Sequence, residues 1–334
     1  MEKNNPPAVS VIIPNYNHAQ FLRDRMESVL RQTFTDFELI ILDDASTDSS
    51  REIINEYASK DPRISFYPSA ANSGSPFIQW NKGVKLAKAG LIWIAESDDV
   101  ASPNFLKEII AKHTEYPNIA LAYCQSNRMN EDGKITGSWK SFTDDLDASL
   151  FSKDFKKNGI DFIDQVLIKK NVIPNASAVV FKKSVYNEVE GADEKLKTNS
   201  DWLTWLKMLL NYDVAFVAKP LNNFRYHSQS VIAKVHTLNN EEYKEQYDLT
   251  MRNAFVAYCN AISFELPENI IKQNKKYQSF DYGNKGIYQF KEGQYFKGLV
   301  NLIRASIFPK PTFGYFKRFI TNKIRDFYNC LFNK

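Results

Sequence analysis

Three short apolar runs in the first hundred residues end in polar clusters whose residue types can do chemistry: Pro14-Asn15-Tyr16-Asn17, Asp43-Asp44 and Glu96-Ser97-Asp98-Asp99. Carboxylates gathered at one edge repel one another, an arrangement that makes sense when a divalent cation or a polyol sits between them. Mg2+ and Mn2+ take one or two carboxylates plus phosphate oxygens, a set that Asp98 and Asp99 can supply. No GxGxxG follows the first run and no GxxxxGK[ST] occurs anywhere. Phosphates bound here therefore need a metal instead of a glycine cradle. Cys124, Cys259 and Cys330 are odd in number and far apart. They form no disulfide framework or CxxC metal site, and they point to the cytoplasm.

The elements that must position these residues follow from the hydropathy pattern. Val9 to Ile13, Phe37 to Leu42, Ile64 to Tyr67 and Leu91 to Ala95 are short and apolar, as strands buried on both faces are. Between them, Ala19 to Gln32 places Phe21, Leu22, Met26, Val29 and Leu30 at helical spacing. Two further helices are predicted over 49–59, capped by Ser46-Thr47-Asp48, and over 76–89. Strand and helix alternate without hairpin signals, which predicts a doubly wound, mainly parallel α/β sheet flanked by helices. Ligands of such sheets bind beyond the carboxyl ends of the strands, where the acidic pairs fall. Farther on, Ser102-Pro103 opens a helix reaching Tyr116. Ile119 to Cys124, Ser177 to Phe181 and Asp213 to Val217 read as strands, and Asp201 to Leu210 as a helix rich in Trp and Leu. The polar stretch 130–159 reads as an excursion or lid.

With 43% hydrophobic and 25% charged residues, the 334-residue chain is neither disordered nor collagen-like. A net charge of +4 is too small to imply a nucleic-acid partner. The N-terminal stretch has no apolar signal region, and no run approaches the roughly 20 apolar residues of a membrane span. From about Leu238 only helical patterning remains, so the expected division is an α/β domain over 1–237 and a helical region over 238–334. Gly286 to Phe308 reads as a helical hairpin about Gly293-Gln294-Tyr295. Beyond Pro309, basic and aromatic residues interleave, the composition of a helix on an anionic membrane surface or of a docked helix with a solvated basic face.

The run from Val9 to Asn17, then Ser28-Val29-Leu30-Arg31-Gln32-Thr33, then Glu38 to Asp48 together resemble the opening of the family 2 glycosyltransferases, inverting enzymes of the GT-A fold. Asn72-Ser73-Gly74, Asn81-Lys82-Gly83 and Ser97-Asp98-Asp99 continue the resemblance in order, and it covers roughly residues 8 to 230. It implies a nucleotide-diphosphate sugar donor, with UDP as carrier, and a divalent cation, Mn2+ or Mg2+. Pro14 and Tyr16 would border the nucleotide base, with Tyr16 stacking on it, and Asp44 would accept a base N–H. Asp98 would face the ribose or donor sugar, and Asp99 would ligate the metal. Asn72, Asn81 and Lys82 would contact the donor, Asn72 being equally readable as part of a turn. Glu96 stands where many members carry Asp, which makes it a secondary metal candidate.

An inverting reaction needs a base for the acceptor hydroxyl. In the family this is an Asp at the start of a downstream helix, a position that Asp201 fits. The Arg225-Tyr226-His227 segment resembles the family's Arg-x-His, implying that His227 approaches the metal or diphosphate. His18, His113 and His236 show no partner in the sequence and read as surface or capping residues. Trp202 and Trp205 could line an acceptor site, although Leu203, Leu206, Leu209 and Leu210 on the same helix favour a core role for Trp205. The expected acceptor is a glycan or lipid-linked saccharide of surface polysaccharide synthesis, at the cytoplasmic membrane face, with peripheral membrane contact through the C-terminal tail. Alternative readings are a nucleotidyltransferase, which would ordinarily show a glycine-rich basic loop after the first strand, and a non-catalytic glycan-binding scaffold of the same fold.

Overall fold

The computed structural model describes residues 5–173, 175–196, 198–228, 230 and 241–307. The expected boundary at 237/238, His236 and the basic aromatic tail lie outside the described residues. Two compact units are present: the described residues up to 230 with 250–265, and residues 241–249 with 266–307.

The first unit is built in chain order from β1 (Val9–Asn15), α1 (Ala19–Leu30), β2 (Phe37–Asp43), α2 (Ser50–Ala58), β3 (Ile64–Pro68), α3 (Pro76–Leu86), β4 (Leu91–Ile94), β5 (Val100–Ala101), α4 (Phe105–Glu115), β6 (Ile119–Met129), β7 (Ile135–Ser138), α5 (Lys140–Asp147), β8 (Phe155–Lys157), α6 (Gly159–Phe162), β9 (Val179–Lys182), α7 (Lys183–Glu188), α8 (Ser200–Met208) and β10 (Asp213–Arg225). Among the described residues these strands form one sheet of order β3-β2-β1-β4-β9-β6-β10-β5, with β7 on β6 and β8 on β10. The β3-β2-β1-β4 half is parallel, β6 and β10 are parallel to each other, and β9 runs antiparallel between β4 and β6. The architecture is the expected mainly parallel α/β sheet flanked by helices, with antiparallel members. All seven residues of β1 and of β2 are buried, which explains why both read as continuous apolar runs.

Register brings the candidate residues to one edge. Asn15 pairs with Asp43, so β1 and β2 end level, and the Asp44 N–H donates to the Asn15 carbonyl at 2.8 Å. β5 pairs antiparallel with β10 at Asn222 and Asn223, which carries the end of β10 to the acidic loop between β4 and β5.

Strands β6 and β10 extend well past the apolar segments visible in sequence. Their distal halves are polar but paired: Asn127 Nδ2 donates to Asn223 Oδ1 at 3.0 Å and Asn222 Nδ2 to Ser126 Oγ at 3.3 Å. Hydrogen bonds between side chains replace apolar packing there. The stretch 130–159 contains β7, which pairs with the distal part of β6, then α5, and β8, which pairs with the apolar first half of β10 at Val214 to Phe216. The helix expected from Ser102-Pro103 begins instead at Phe105, with Asn104 preceding it.

In the second unit, α9 (Glu241–Ala261) contributes its first residues, and α10 (Glu268–Lys291) and α11 (Tyr295–Ile307) form the expected hairpin. A Cβ on Gly286 would lie 2.9 Å from the Gly298 carbonyl oxygen, and one on Gly298 would lie 2.9 Å from that of Gly286. The two backbones therefore meet at these glycines.

A close approach also fixes α3 on the sheet. A Cβ on Gly83 would lie 2.5 Å from Ile12 Cγ2 and 3.0 Å from Leu42 Cδ1, both in fully buried side chains. Gly83→Ala is expected to destabilise the protein by about 1–3 kcal/mol, measured by urea unfolding, because the added methyl has no space to enter.

Candidate active site

The loop Glu96-Ser97-Asp98-Asp99 is held from behind by a buried guanidinium. Arg25 lies on the otherwise apolar inner face of α1 with Phe21, Leu22, Met26 and Val29. Its Nε donates to the Glu96 carbonyl at 2.7 Å and its Nη2 to Ser177 Oγ at 3.0 Å, while the Trp93 ring lies 5.7 Å from its centre. Ser177 Oγ also accepts the Glu96 N–H at 3.1 Å, and Trp80 Nε1 donates to Glu96 Oε1 at 2.9 Å. Backbone and side chain of Glu96 are thus both fixed. Burial, then the charge of Asp98, pushes its carboxyl up to about 8. Glu96, the secondary metal candidate, is thus bonded into the loop's framework and is not among the side chains that converge with His18 and His227.

Asp98 and Asp99 point to different surroundings. Asp99 is fully buried, accepts the Arg225 N–H at 2.9 Å and lies 3.9 Å from Arg25 Nη2. Burial, then Asp98, raises its carboxyl to about 7. Asp99, expected to ligate the metal, faces the protein interior here, while Asp98 is the carboxylate that converges with His18 and His227. Asp98 Oδ2 lies 3.0 Å from His227 Nε2. Burial alone would raise its carboxyl, but the hydrogen bond from His227 and the nearby His18 hold it below the usual range.

His18 stands at the N-cap of α1, within the surface or capping role read from sequence, and its ring also joins these two. Its Nδ1 lies 2.8 Å from Ser97 Oγ, its ring is 5.3 Å from that of His227, and ligand atoms of His18, Asp98 and His227 all fall within 4.8 Å of one another. Two imidazoles and a carboxylate suit a transition ion such as Mn2+ better than Mg2+, which prefers oxygen donors. His113 has a different place: it is buried against the Val180 carbonyl at 3.0 Å, and burial drives its imidazole down to about 4.

Arg225 clips this arrangement from β10. Besides its backbone contact with Asp99, its Nε donates to the Asp98 carbonyl at 2.7 Å, Nη1 to the Glu131 carbonyl at 2.8 Å and Nη2 to Asp24 Oδ2 at 2.8 Å. His227 follows two residues later. Tyr226, between them, stacks on Trp139 from the 130–159 excursion at 6.0 Å, so that excursion abuts the candidate site.

On the β1 and β2 side, Pro14 is buried in the strand and Tyr16 is 46% exposed at its end, available for stacking. Asp44 is buried and accepts from Ser73 N, Ser73 Oγ, Asn72 Nδ2 and Gln79 Nε2 at 2.6–3.1 Å. These donors occupy its acceptor sites, so a base N–H could bond there only by displacing one of them. Asn72 is accordingly a turn residue clamped on Asp44, with its Oδ1 accepting the Gly74 N–H. Asn81 is also committed within the protein: Nδ2 donates to the Ala192 carbonyl and to Glu194, while Oδ1 accepts from Tyr186 Oη. Expected at the donor, Asn81 here ties the 190–194 loop to α3. Lys82 is exposed, with Nζ 3.4 Å from Ser69 Oγ.

Three consecutive residues of α3 thus reach three parts of the site: Gln79 holds Asp44, Trp80 holds Glu96, and Asn81 holds the loop ahead of α8. Trp80 also contacts the fully buried Trp205 at 6.3 Å. Asp201 lies one turn before Trp205 on α8. Its Oδ2 accepts from Asn171 Nδ2 at 3.2 Å, and burial raises its carboxyl above the ordinary range. Trp202 is core, its Nε1 donating to the Leu167 carbonyl at 2.9 Å.

The Arg225 clip makes a testable contrast. Arg225→Met removes three side-chain donations and is expected to destabilise the fold by about 2–4 kcal/mol in urea unfolding. Asp24→Ala, which removes only the exposed partner, is expected to cost under about 1 kcal/mol.

Comparison with known proteins follows the same outline. Residues 10–187, just over half of the chain, match the sequence profile of "Glycosyl transferase family 2". An uncharacterized glycosyltransferase of Methanocaldococcus jannaschii is 31% identical over 209 residues, 61% of this chain and 66% of that protein. A teichuronic acid biosynthesis glycosyltransferase of Bacillus subtilis, itself described as putative, is 27% identical over 62% of this chain and 73% of its own. The chain spans only 16% of two longer curated relatives. A crystal structure of S. aureus TarS in complex with UDP-GlcNAc superposes with a TM-score of 0.57 at 18% identity, covering 88% of this chain and 89% of that one. The family match ends before Asp201 and His227, whose placement here comes from the structure alone. On its sequence and its fold, this chain belongs to glycosyl transferase family 2.

Proposed function

We propose that the protein transfers a glycosyl group, with inversion, from a nucleotide-diphosphate sugar to a hydroxyl of a glycan or lipid-linked saccharide. UDP is the carrier this reading favours, and surface polysaccharide synthesis is the setting, in line with the relative from Bacillus subtilis. The single observation that carries it is the meeting of His18, Asp98 and His227 within 4.8 Å beyond the carboxyl ends of the strands of a family 2 chain. These three residues would hold a divalent cation, and that ion would offset the charge growing on the leaving diphosphate.

The remaining roles belong to the chain itself. Tyr16 offers an exposed ring for the base, and the Asp44 clamp keeps the adjoining turn in place. Asp201 takes the proton of the acceptor hydroxyl as its oxygen bonds to the anomeric carbon and the bond to the diphosphate breaks, the electron pair leaving with the phosphate. Its raised carboxyl makes it a stronger base than a solvated Asp once ionised.

Asp201→Asn is expected to lower turnover of a UDP-sugar by about a thousandfold or more while leaving nucleotide affinity within about twofold, measured by diphosphate release and calorimetry. Undiminished turnover would assign the base elsewhere. The Asn171 amide donates to the ionised Asp201, so its removal raises that carboxyl further. Asn171→Ala is therefore expected to move the acidic limb of the kcat/KM profile to higher pH, and an unmoved limb would separate Asp201 from that titration. His18→Ala is expected to weaken Mn2+ binding in the absence of donor by about tenfold or more, read by titration calorimetry. Unchanged affinity would remove His18 from the ligand set.

A further inference from the structure

Helix α11 is apolar on two opposite sides. Gly298, Asn301, Leu302 and Ala305 are buried, and Gly298 and Leu302 meet α10 at Gly286. On the other side Phe296 is 80% exposed, Leu299 44% and Ile303 51%. Their spacing of three and four residues lines them up as one stripe. Lys297 and Arg304 are exposed along its flank. A helix that only completes a core needs a single apolar side, so a second one, rimmed by cations, marks a surface for something outside the fold.

The charge distribution says what that something is. Residues 295–334 contain eight basic residues and one acidic, Asp326, a net +7, whereas the preceding 294 residues carry −3. The near-neutral total thus conceals a strongly basic C-terminal end, in which Phe and Tyr alternate with Lys and Arg. Nucleic acid would use such cations but has no place for a stripe of Phe, Leu and Ile. A second copy would set two +7 segments against each other. An anionic bilayer surface satisfies both features at once, its headgroups taking the cations and its acyl boundary the stripe. The 13 residues of α11 extend about 20 Å, short of the roughly 30 Å hydrocarbon core, and no helix among the described residues is long and apolar enough to cross a membrane. This geometry suits a helix lying in the interface.

We infer that α11 docks the protein on an anionic lipid surface, with Phe296, Leu299 and Ile303 entering the acyl boundary and Lys297 and Arg304 on the headgroups. The inference stands apart from the sugar-transfer reading, since its test needs no donor and no turnover. The full chain is floated with phosphatidylcholine vesicles, with and without about 30% phosphatidylglycerol, at low and at high salt. Flotation is expected only with the anionic vesicles and is expected to fall with salt. The triple variant Phe296→Ser, Leu299→Ser, Ile303→Ser is expected to lower the floated fraction by about tenfold or more with an unchanged circular dichroism spectrum. Lys297→Glu with Arg304→Glu, which leaves the stripe intact, is expected to weaken binding to the anionic vesicles and decides the matter should the triple variant unfold. Failure of the wild-type chain to float, equal flotation with both vesicle types, or undiminished flotation of the variants would overturn the inference. So would sedimentation showing a lipid-free dimer that the triple variant loses, because the stripe would then belong to a second copy.

Discussion

A guanidinium sealed beneath an acidic loop is the constraint on which the candidate site depends. Arg25 has no contact with solvent and its neighbours are the Glu96 carbonyl, Ser177 and the Asp99 carboxyl. Removing a charge from water is costly unless hydrogen bonds and opposite charge offset it, and here they come from the loop between β4 and β5 and from the approach to β9. The loop is thereby fixed at its first and last residues. Asp98, between them, is left to face His18 and His227, so a buried charge that catalyses nothing determines where the neighbouring carboxylate stands.

Helix α3 performs the second part of the assembly. Successive side chains on a helix diverge by about 100°, so Gln79, Trp80 and Asn81 reach in three directions from one turn. The turn can do this only because Gly83 lets the helix approach β1 and β2 at backbone distance. Two motifs expected at the donor, Asn72-Ser73-Gly74 and Asn81-Lys82-Gly83, also hold Asp44 and the 190–194 loop.

The fold was legible in sequence wherever burial on both sides of the sheet demands unbroken apolar runs, as in β1, β2 and β4. The same rule hides the distal halves of β6 and β10, where hydrogen bonds join Ser126 to Asn222 and Asn127 to Asn223. Acidic clusters at strand ends pointed to the right edge of the sheet, but adjacent aspartates are indistinguishable by composition. Only the partners of Asp99, Arg25 and Arg225, lying 74 and 126 residues away, show that it faces inward. His18 was passed over for a similar reason, since its neighbours Ser97 and His227 are remote in the chain. Arg25 did leave a signal: a lone cation amid Phe21, Leu22, Met26 and Val29 is out of place on an apolar face unless it has a buried partner.

The glycine contact between α10 and α11 has a mechanical consequence. Where two helices touch through side chains, one can roll about its axis by changing rotamers. Gly286 and Gly298 have no rotamers to change, and the carbonyl of each occupies the space that the other's side chain would need. Rotation of α11 would have to break that backbone seat, so the hairpin acts as a rigid bracket that keeps its outward side outward whether or not a partner is present.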